Sequence, residues 1–214
     1  MNDRISIELF EAPELPTCDV VVVNSRGADN PWFVACCETV RAQTHPGTRL
    51  LVVDNNDHGL SIGAAWNLAA DASSATYMLM VGDDDLIMPD LVHTLVMSME
   101  ALRRRPGGEE LVQLQSPMTA IDINGRVMCL LEQGHSGLWL REYVARERFN
   151  EALERHVAPE LQQRMDLRSS LDLKLRHASI GHHYGYRYRQ HPGMVSGMKV
   201  SYQEPAPTGI TVVK

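Results

Sequence analysis

Tyr77-Met78-Leu79-Met80-Val81-Gly82-Asp83-Asp84-Asp85 passes without transition from five apolar residues to a glycine and three carboxylates. A short apolar run with polar flanks has the length of a buried strand. The acidic turn then stands at the carboxyl end of that strand. Two earlier runs have the same shape. Val20–Val23 is β-branched throughout and ends at Asn24-Ser25-Arg26-Gly27, and Arg49–Val53 breaks off at Asp54-Asn55-Asn56-Asp57.

Helical stretches separate these strands. Asp29 or Asn30 can cap a helix from Pro31 to about Gln43, and His45-Pro46-Gly47 stops it. Ser61 caps a small-residue helix from Ile62 to about Ala72. After the acidic turn Pro89 opens a third helix, which ends near Arg103-Arg104-Arg105-Pro106-Gly107-Gly108. Strand alternating with helix predicts an α/β fold with a mostly parallel central sheet and helices on both faces.

Beyond Gly108 the rhythm changes. Leu111–Gln115 reads as a strand, and Met118–Ile121 with Arg126–Leu131 reads as a hairpin about Asp122-Ile123-Asn124-Gly125. Gly137 to Phe149 and Pro159 to His177 are expected to be helical, His183–Arg189 extended, and the tail from Gln203 loosely attached.

Composition is that of an ordinary globular protein: 214 residues, 44% hydrophobic and 22% charged. A net charge of −7 does not advertise a polyanion partner for the molecule as a whole. The segment from Arg141 to Lys199 is nevertheless rich in Arg and Lys, so a local basic surface is expected there. Cys18, Cys36, Cys37 and Cys129 lack zinc-ligand spacing and read as reduced, mostly buried thiols. The acidic, proline-broken N-terminus does not read as a signal peptide, and no apolar run reaches the ~20 residues of a membrane span. The expectation is a cytoplasmic protein with no membrane span.

In an open α/β sheet, ligands bind outside the carboxyl ends of the strands. Asn24, Asp54 and Asp83-Asp84-Asp85 all fall there. Packed carboxylates repel one another, and a divalent cation with oxygen ligands relieves that repulsion. The plainer reading makes the triplet a solvated loop and an acidic start to the next helix. Its place after a buried strand, on the same edge as Asp54, favours a metal-assisted site.

The sequence resembles the inverting family 2 glycosyltransferases, which have the GT-A fold. The likeness rests on VVVVNSRG (20–27), ETVRAQTHPGTRLLVVDNND (38–57), GAAWNLAADASSATYMLMVGDDDLIMPDLV (63–92) and YRYRQHPGMVS (186–196), in the family's order. It covers most of residues 20–105 and again 172–196. It implies a single GT-A-like domain: about 18–106 binding nucleotide sugar and metal, about 107–200 binding acceptor, and 201–214 a C-terminal tail. It implies a nucleoside diphosphate sugar as donor and Mn²⁺ or Mg²⁺ as cofactor. Asn24, Arg26, Asp54, Asn67, Asp83, Asp84 and Arg189 are the implied donor-binding residues. Asp54 would contact base or ribose, Asn67 would brace the donor loop, and Arg187 or Arg189 would hold the diphosphate. Asp85 would be the chief metal ligand, with Asp83 and His191 completing the site.

The chain departs from the family in three places. Gly82 stands where many members have Asp, Trp66 where many have Arg, and Ser169-Ser170 where a Glu-Asp pair supplies the base ahead of DLKLR (172–176). Asp166 or Asp172 is the expected base, or Glu160 if the helix is shifted. The acceptor is expected to be a saccharide hydroxyl. The basic rear half also admits a hydroxymethylated DNA base. Two rival functions share the sheet: a sugar-1-phosphate nucleotidyltransferase, for which NSRGADNP is poor in glycine, and a catalytically inactive nucleotide-sugar-binding module.

Overall fold

The structure is a computed structural model that describes residues 15–56, 59–131, 137–153, 160, 161, 163, 177–181, 183–191, 212 and 213. The chain runs β1 (Cys18–Asn24), α1 (Pro31–Arg41), β2 (Thr48–Asp54), α2 (Ile62–Ala72), β3 (Tyr77–Val81), β4 (Leu86–Ile87), α3 (Leu91–Arg103), β5 (Gln113–Gln115), β6 (Met118–Ile121), β7 (Val127–Leu131), β8 (Gly137–Leu140), α4 (Arg141–Glu147), β9 (His177–Ser179), β10 (Tyr186–Arg189) and β11 (Val212–Val213).

Six strands form the central sheet in the order β2-β1-β3-β8-β5-β9. β1 pairs in parallel with β2 and β3, and β9 with β5, while β8 runs against both its neighbours. The sheet is therefore mostly parallel, as expected. All seven residues of β1 and all five of β3 are buried. Successive side chains of a strand point to opposite faces, so both faces are covered there. β2, on the sheet's edge, is exposed at alternate positions toward its end, Val52 and Asp54 facing solvent.

The helices start where their caps predict. The Asn30 side chain accepts from the Trp32 and Phe33 amides with Pro31 in the first turn, and Ser61 Oγ accepts from the Ala64 amide. α1 buries Phe33, Cys36, Cys37 and Val40; α2 buries Gly63, Ala65, Asn67, Ala69 and Ala70. All four cysteines are free and buried.

Three expectations are corrected. α3 begins at Leu91, and β4 separates it from Asp83–Asp85, so the triplet is not its cap. Gly137–Leu140 is a strand and not the first turn of a helix. Its four residues are all buried and fill the slot between β3 and β5. Gly137 suits that slot because an added Cβ would lie 2.9 Å from the Leu114 carbonyl oxygen. His177, expected to end a helix, opens β9 on the sheet's far edge. The rest of that expected helix lies largely outside the described residues, of which 160, 161 and 163 are helical.

A second sheet, β11-β7-β6-β10-β4, takes in the expected β6–β7 hairpin and, as β10, part of the stretch His183–Arg189 expected to be extended; its assembly into one sheet was not expected. The hairpin turns on Asp122, whose side chain accepts from the Asn124 and Arg126 amides, and on Gly125 at φ +80°. β10 inserts between β6, in parallel, and the two-residue β4, antiparallel. That insertion brings residues 186–191 against the acidic turn, about a hundred positions earlier in the chain.

Candidate functional site

Three chain segments meet at the carboxyl edge of the central sheet: the loop after β1, the turn between β3 and β4, and the end of β10. Asp83 accepts from the Ser25 amide at 3.0 Å, the Ser25 hydroxyl at 2.8 Å and Arg26 Nε at 3.1 Å. Arg26 Nη2 also donates to Asp84 Oδ2 at 2.7 Å, so one guanidinium bridges two adjacent carboxylates. His191 Nε2 lies 2.6 Å from the same Asp84 oxygen and 3.3 Å from Arg26 Nη2. The Arg26 side chain is 23% exposed, while those of Asp83 and Asp84 are 8% and 14% exposed.

Asp85 turns the other way. Its Oδ2 accepts from the Tyr186 hydroxyl at 2.6 Å and its Oδ1 from the Arg189 amide at 2.7 Å, so it clamps β10 to the turn. Burial, and then the neighbouring Asp84 charge, raise its pKa well above the ordinary carboxylate range; the Tyr186 and Arg189 contacts act in the opposite sense. The Tyr186 hydroxyl accepts from the Gly82 amide at 3.1 Å, and burial together with Asp85 drives its own pKa up. The Cys36 thiol donates to the Gly82 carbonyl.

Gly82 explains itself in this setting. A Cβ there would lie 2.7 Å from Asp85 Oδ2 and 3.0 Å from Asp84 Oδ1. The turn folds its own acids back over residue 82, and any side chain would push them apart.

Arg189 is buried. Its Nε donates to the Asp84 carbonyl at 2.7 Å and its Nη1 to the Ile123 carbonyl at 2.8 Å. The half-buried Trp32 ring lies among these groups: the guanidinium carbons of Arg26 and Arg189 each stand 5.5 Å from its centroid, and the His191 ring 4.8 Å. Trp32, Ser25 and Tyr186 were not among the sequence candidates. The only signal for Trp32 was an aromatic residue one place into a helix that follows the first polar loop.

The remaining candidates sit as follows. Asp54 is exposed at the end of β2, level with Asn24 on β1, and accepts from its neighbour Asn56. Asn24 uses its side-chain oxygen on the Arg26 and Gly27 amides, holding the loop that carries Arg26. Asn67 is buried elsewhere. It receives the Phe149 amide and donates to the Phe149 carbonyl and Glu151, tying α2 to the segment after α4. Asp166 and Asp172 lie outside the described residues, and Arg187 is half-exposed on β10.

The arrangement does not fit the divalent ion that the resemblance implies. Two of the three carboxylates already share the Arg26 guanidinium, and the third faces Tyr186 and the Arg189 amide. Among the described residues no group of three His, Cys, Asp or Glu is placed to hold an ion. The basic rear half also changes character. Arg148 pairs with Asp71, Arg146 with Glu147, and Arg189 is spent on backbone carbonyls. Arg155, Arg164, Arg168, Lys174, Arg176 and Lys199 lie outside the described residues, and a DNA acceptor finds no support. No described helix is long and apolar enough to cross a membrane.

The sequence matches no protein-family model and no curated protein. Solved structures do match. Residues 1–349 of TarS from S. aureus, in complex with UDP-GlcNAc, align with a TM-score of 0.62 at 13% identity, over 86% of this chain and 62% of that one. The mannosyltransferase PcManGT from Pyrobaculum calidifontis, in complex with GDP-Man and Mn²⁺, aligns at 0.57 and 12%, over 87% and 59%. Glucosyl-3-phosphoglycerate synthase from Mycobacterium tuberculosis, in complex with Mn²⁺, UDP and glucosyl-3-phosphoglycerate, aligns at 0.55 and 15%, over 83% and 73%. This chain thus spans about three fifths of the first of these structures. The likeness establishes the fold these glycosyltransferases share, the GT-A fold.

Proposed function

We propose that this GT-A domain is a glycosyltransferase that moves a sugar from a nucleoside diphosphate sugar to an acceptor hydroxyl. The observation that carries the reading is the convergence of Arg26, Asp83, Asp84, Arg189 and His191 about Trp32 at the carboxyl edge of the sheet. That edge is where an open α/β sheet accepts a nucleotide. The three matched complexes hold nucleotide sugars or UDP.

The roles follow from exposure. Asp54, exposed at the end of β2, accepts from the ribose or base. Arg26 is the partly exposed cation of the cluster and the one able to meet a diphosphate; Arg189 is buried and holds the acidic turn against β10. In the transfer, the bond from the anomeric carbon to the diphosphate oxygen breaks and its electron pair leaves with the diphosphate. The acceptor oxygen forms the new bond from the opposite face, with inversion. Its proton passes to a carboxylate, Asp166 or Asp172. Arg26 keeps Asp83 and Asp84 paired, so that they repel the leaving diphosphate less. No step is assigned to a metal ion. The acceptor is a saccharide hydroxyl.

A panel of nucleoside diphosphate sugars, incubated with the protein without acceptor, tests the reading. Slow release of nucleoside diphosphate from one donor is the expected result. Pyrophosphate release from a nucleoside triphosphate and a sugar 1-phosphate would assign a nucleotidyltransferase instead. Donor binding without turnover under any condition would leave a binding module.

A further inference from the structure

Arg26 stands where a chelated cation would stand. Its Nε and Nη2 reach Asp83 Oδ1 and Asp84 Oδ2 from one planar group, and Nη2 also lies 3.3 Å from His191 Nε2. Those atoms are two carboxylate oxygens and an imidazole nitrogen, donor types that divalent ions accept. The guanidinium is held there from three sides. Asn24 accepts from the Arg26 amide and fixes the loop. The Ser25 amide and hydroxyl pin Asp83, and the Trp32 ring lies 5.5 Å from the guanidinium carbon.

We infer that Arg26 is the resident counter-cation of the acidic turn, and that it and a divalent ion are mutually exclusive occupants. The inference rests on reading this turn as the donor site, but concerns only what neutralises it. An ion arriving at Asp83 and Asp84 must displace Arg26 and strand a cation beside a second cation. Like charges a few ångströms apart repel enough, even at the dielectric constant of water, to change a binding constant by about tenfold or more. Arg26 therefore weakens Mn²⁺ binding by at least about tenfold. Asp85 does not rescue the ion, because both its oxygens are committed to Tyr186 and the Arg189 amide.

The test is Mn²⁺ binding to the full chain without nucleotide, read by electron paramagnetic resonance and by titration calorimetry. Wild-type protein is expected to bind Mn²⁺ weakly. Arg26→Gln and Arg26→Ala are expected to bind it at least about tenfold more tightly, and adding Asp84→Asn to either is expected to abolish the gain. Far-UV circular dichroism establishes that each variant is folded. If neither variant folds, the wild-type arm still decides: micromolar Mn²⁺ affinity that Asp84→Asn removes would overturn the inference. Equal Mn²⁺ affinity in the wild type and the folded Arg26 variants would overturn it too. None of these readouts uses turnover, so a failure of the donor panel and a failure here are distinguishable.

Discussion

Replacing Tyr186 by Phe removes one oxygen atom from the middle of the site while keeping the ring. That oxygen donates to Asp85 at 2.6 Å and accepts from the Gly82 amide at 3.1 Å, and residue 186 is 4% exposed. A hydrogen bond to this carboxyl contributes about 0.5–1.5 kcal/mol when it is protonated and about 1.5–3 kcal/mol when it is ionised, and a buried amide left unpaired costs about 1–3 kcal/mol. Because the two losses share one site, they add incompletely, and about 2–4 kcal/mol is expected. For a chain of this size that lowers Tm by very roughly 4–16 °C.

The loss should depend on pH. Asp85 has a folded pKa above its unfolded one, chiefly through burial. The native state therefore holds its proton more tightly than the unfolded chain. Stability from this group is full below the ordinary carboxylate pKa and declines as pH rises through the raised value. The Tyr186 hydroxyl favours the ionised form, so removing it raises the folded pKa further. The deficit of Tyr186→Phe is thus larger at pH 8 than at pH 5. Guanidinium unfolding of both proteins at the two pH values measures it. A deficit under about 0.5 kcal/mol, the range of an ordinary surface substitution, or one that is larger at pH 5, would refute the reasoning.

Three further outcomes are expected. Gly82→Ala pushes Asp84 and Asp85 from their partners and should cost about 1–3 kcal/mol by overcrowding, with donor affinity falling in parallel; unchanged calorimetric donor binding would count against a donor site at this turn. Asn67→Ala leaves the buried Phe149 amide and carbonyl without their partner and should lower stability by about 2–4 kcal/mol while leaving donor affinity intact, because its contacts lie on the segment after α4; a selective loss of donor binding in thermally stable protein would return Asn67 to the donor loop. Asp166→Asn should slow turnover by at least about a hundredfold with donor affinity unchanged; a normal rate beside a collapse in Asp172→Asn or Glu160→Gln would move the base to that carboxylate.

The first half of the fold was legible because its signals are local. Four consecutive β-branched residues make a buried strand whatever surrounds them, and Asn30-Pro31 and Ser61 start helices through their own side chains. Alternation then places Asn24, Asp54 and the acidic turn on one sheet edge, since consecutive parallel strands all end on the same side. Gly137–Leu140 was not legible. Gly-Leu-Trp-Leu next to a helical Arg-Glu-Tyr has no period of its own, and it becomes a strand because β3 and β5 leave a slot that needs backbone partners.

Tertiary structure alone decided what each acid does. Only the family resemblance gave Asp83, Asp84 and Asp85 different roles in the sequence, and charge repulsion among them asks for a cation without saying which. The chain supplies Arg26 from the first loop, and β10, inserted beside β4, supplies Tyr186 and the Arg189 amide. One carboxylate therefore becomes a clamp inside the protein while two share a guanidinium at its edge. Pairing between strands about a hundred residues apart is set by which edges remain open after the local elements have formed. No window of sequence contains that information.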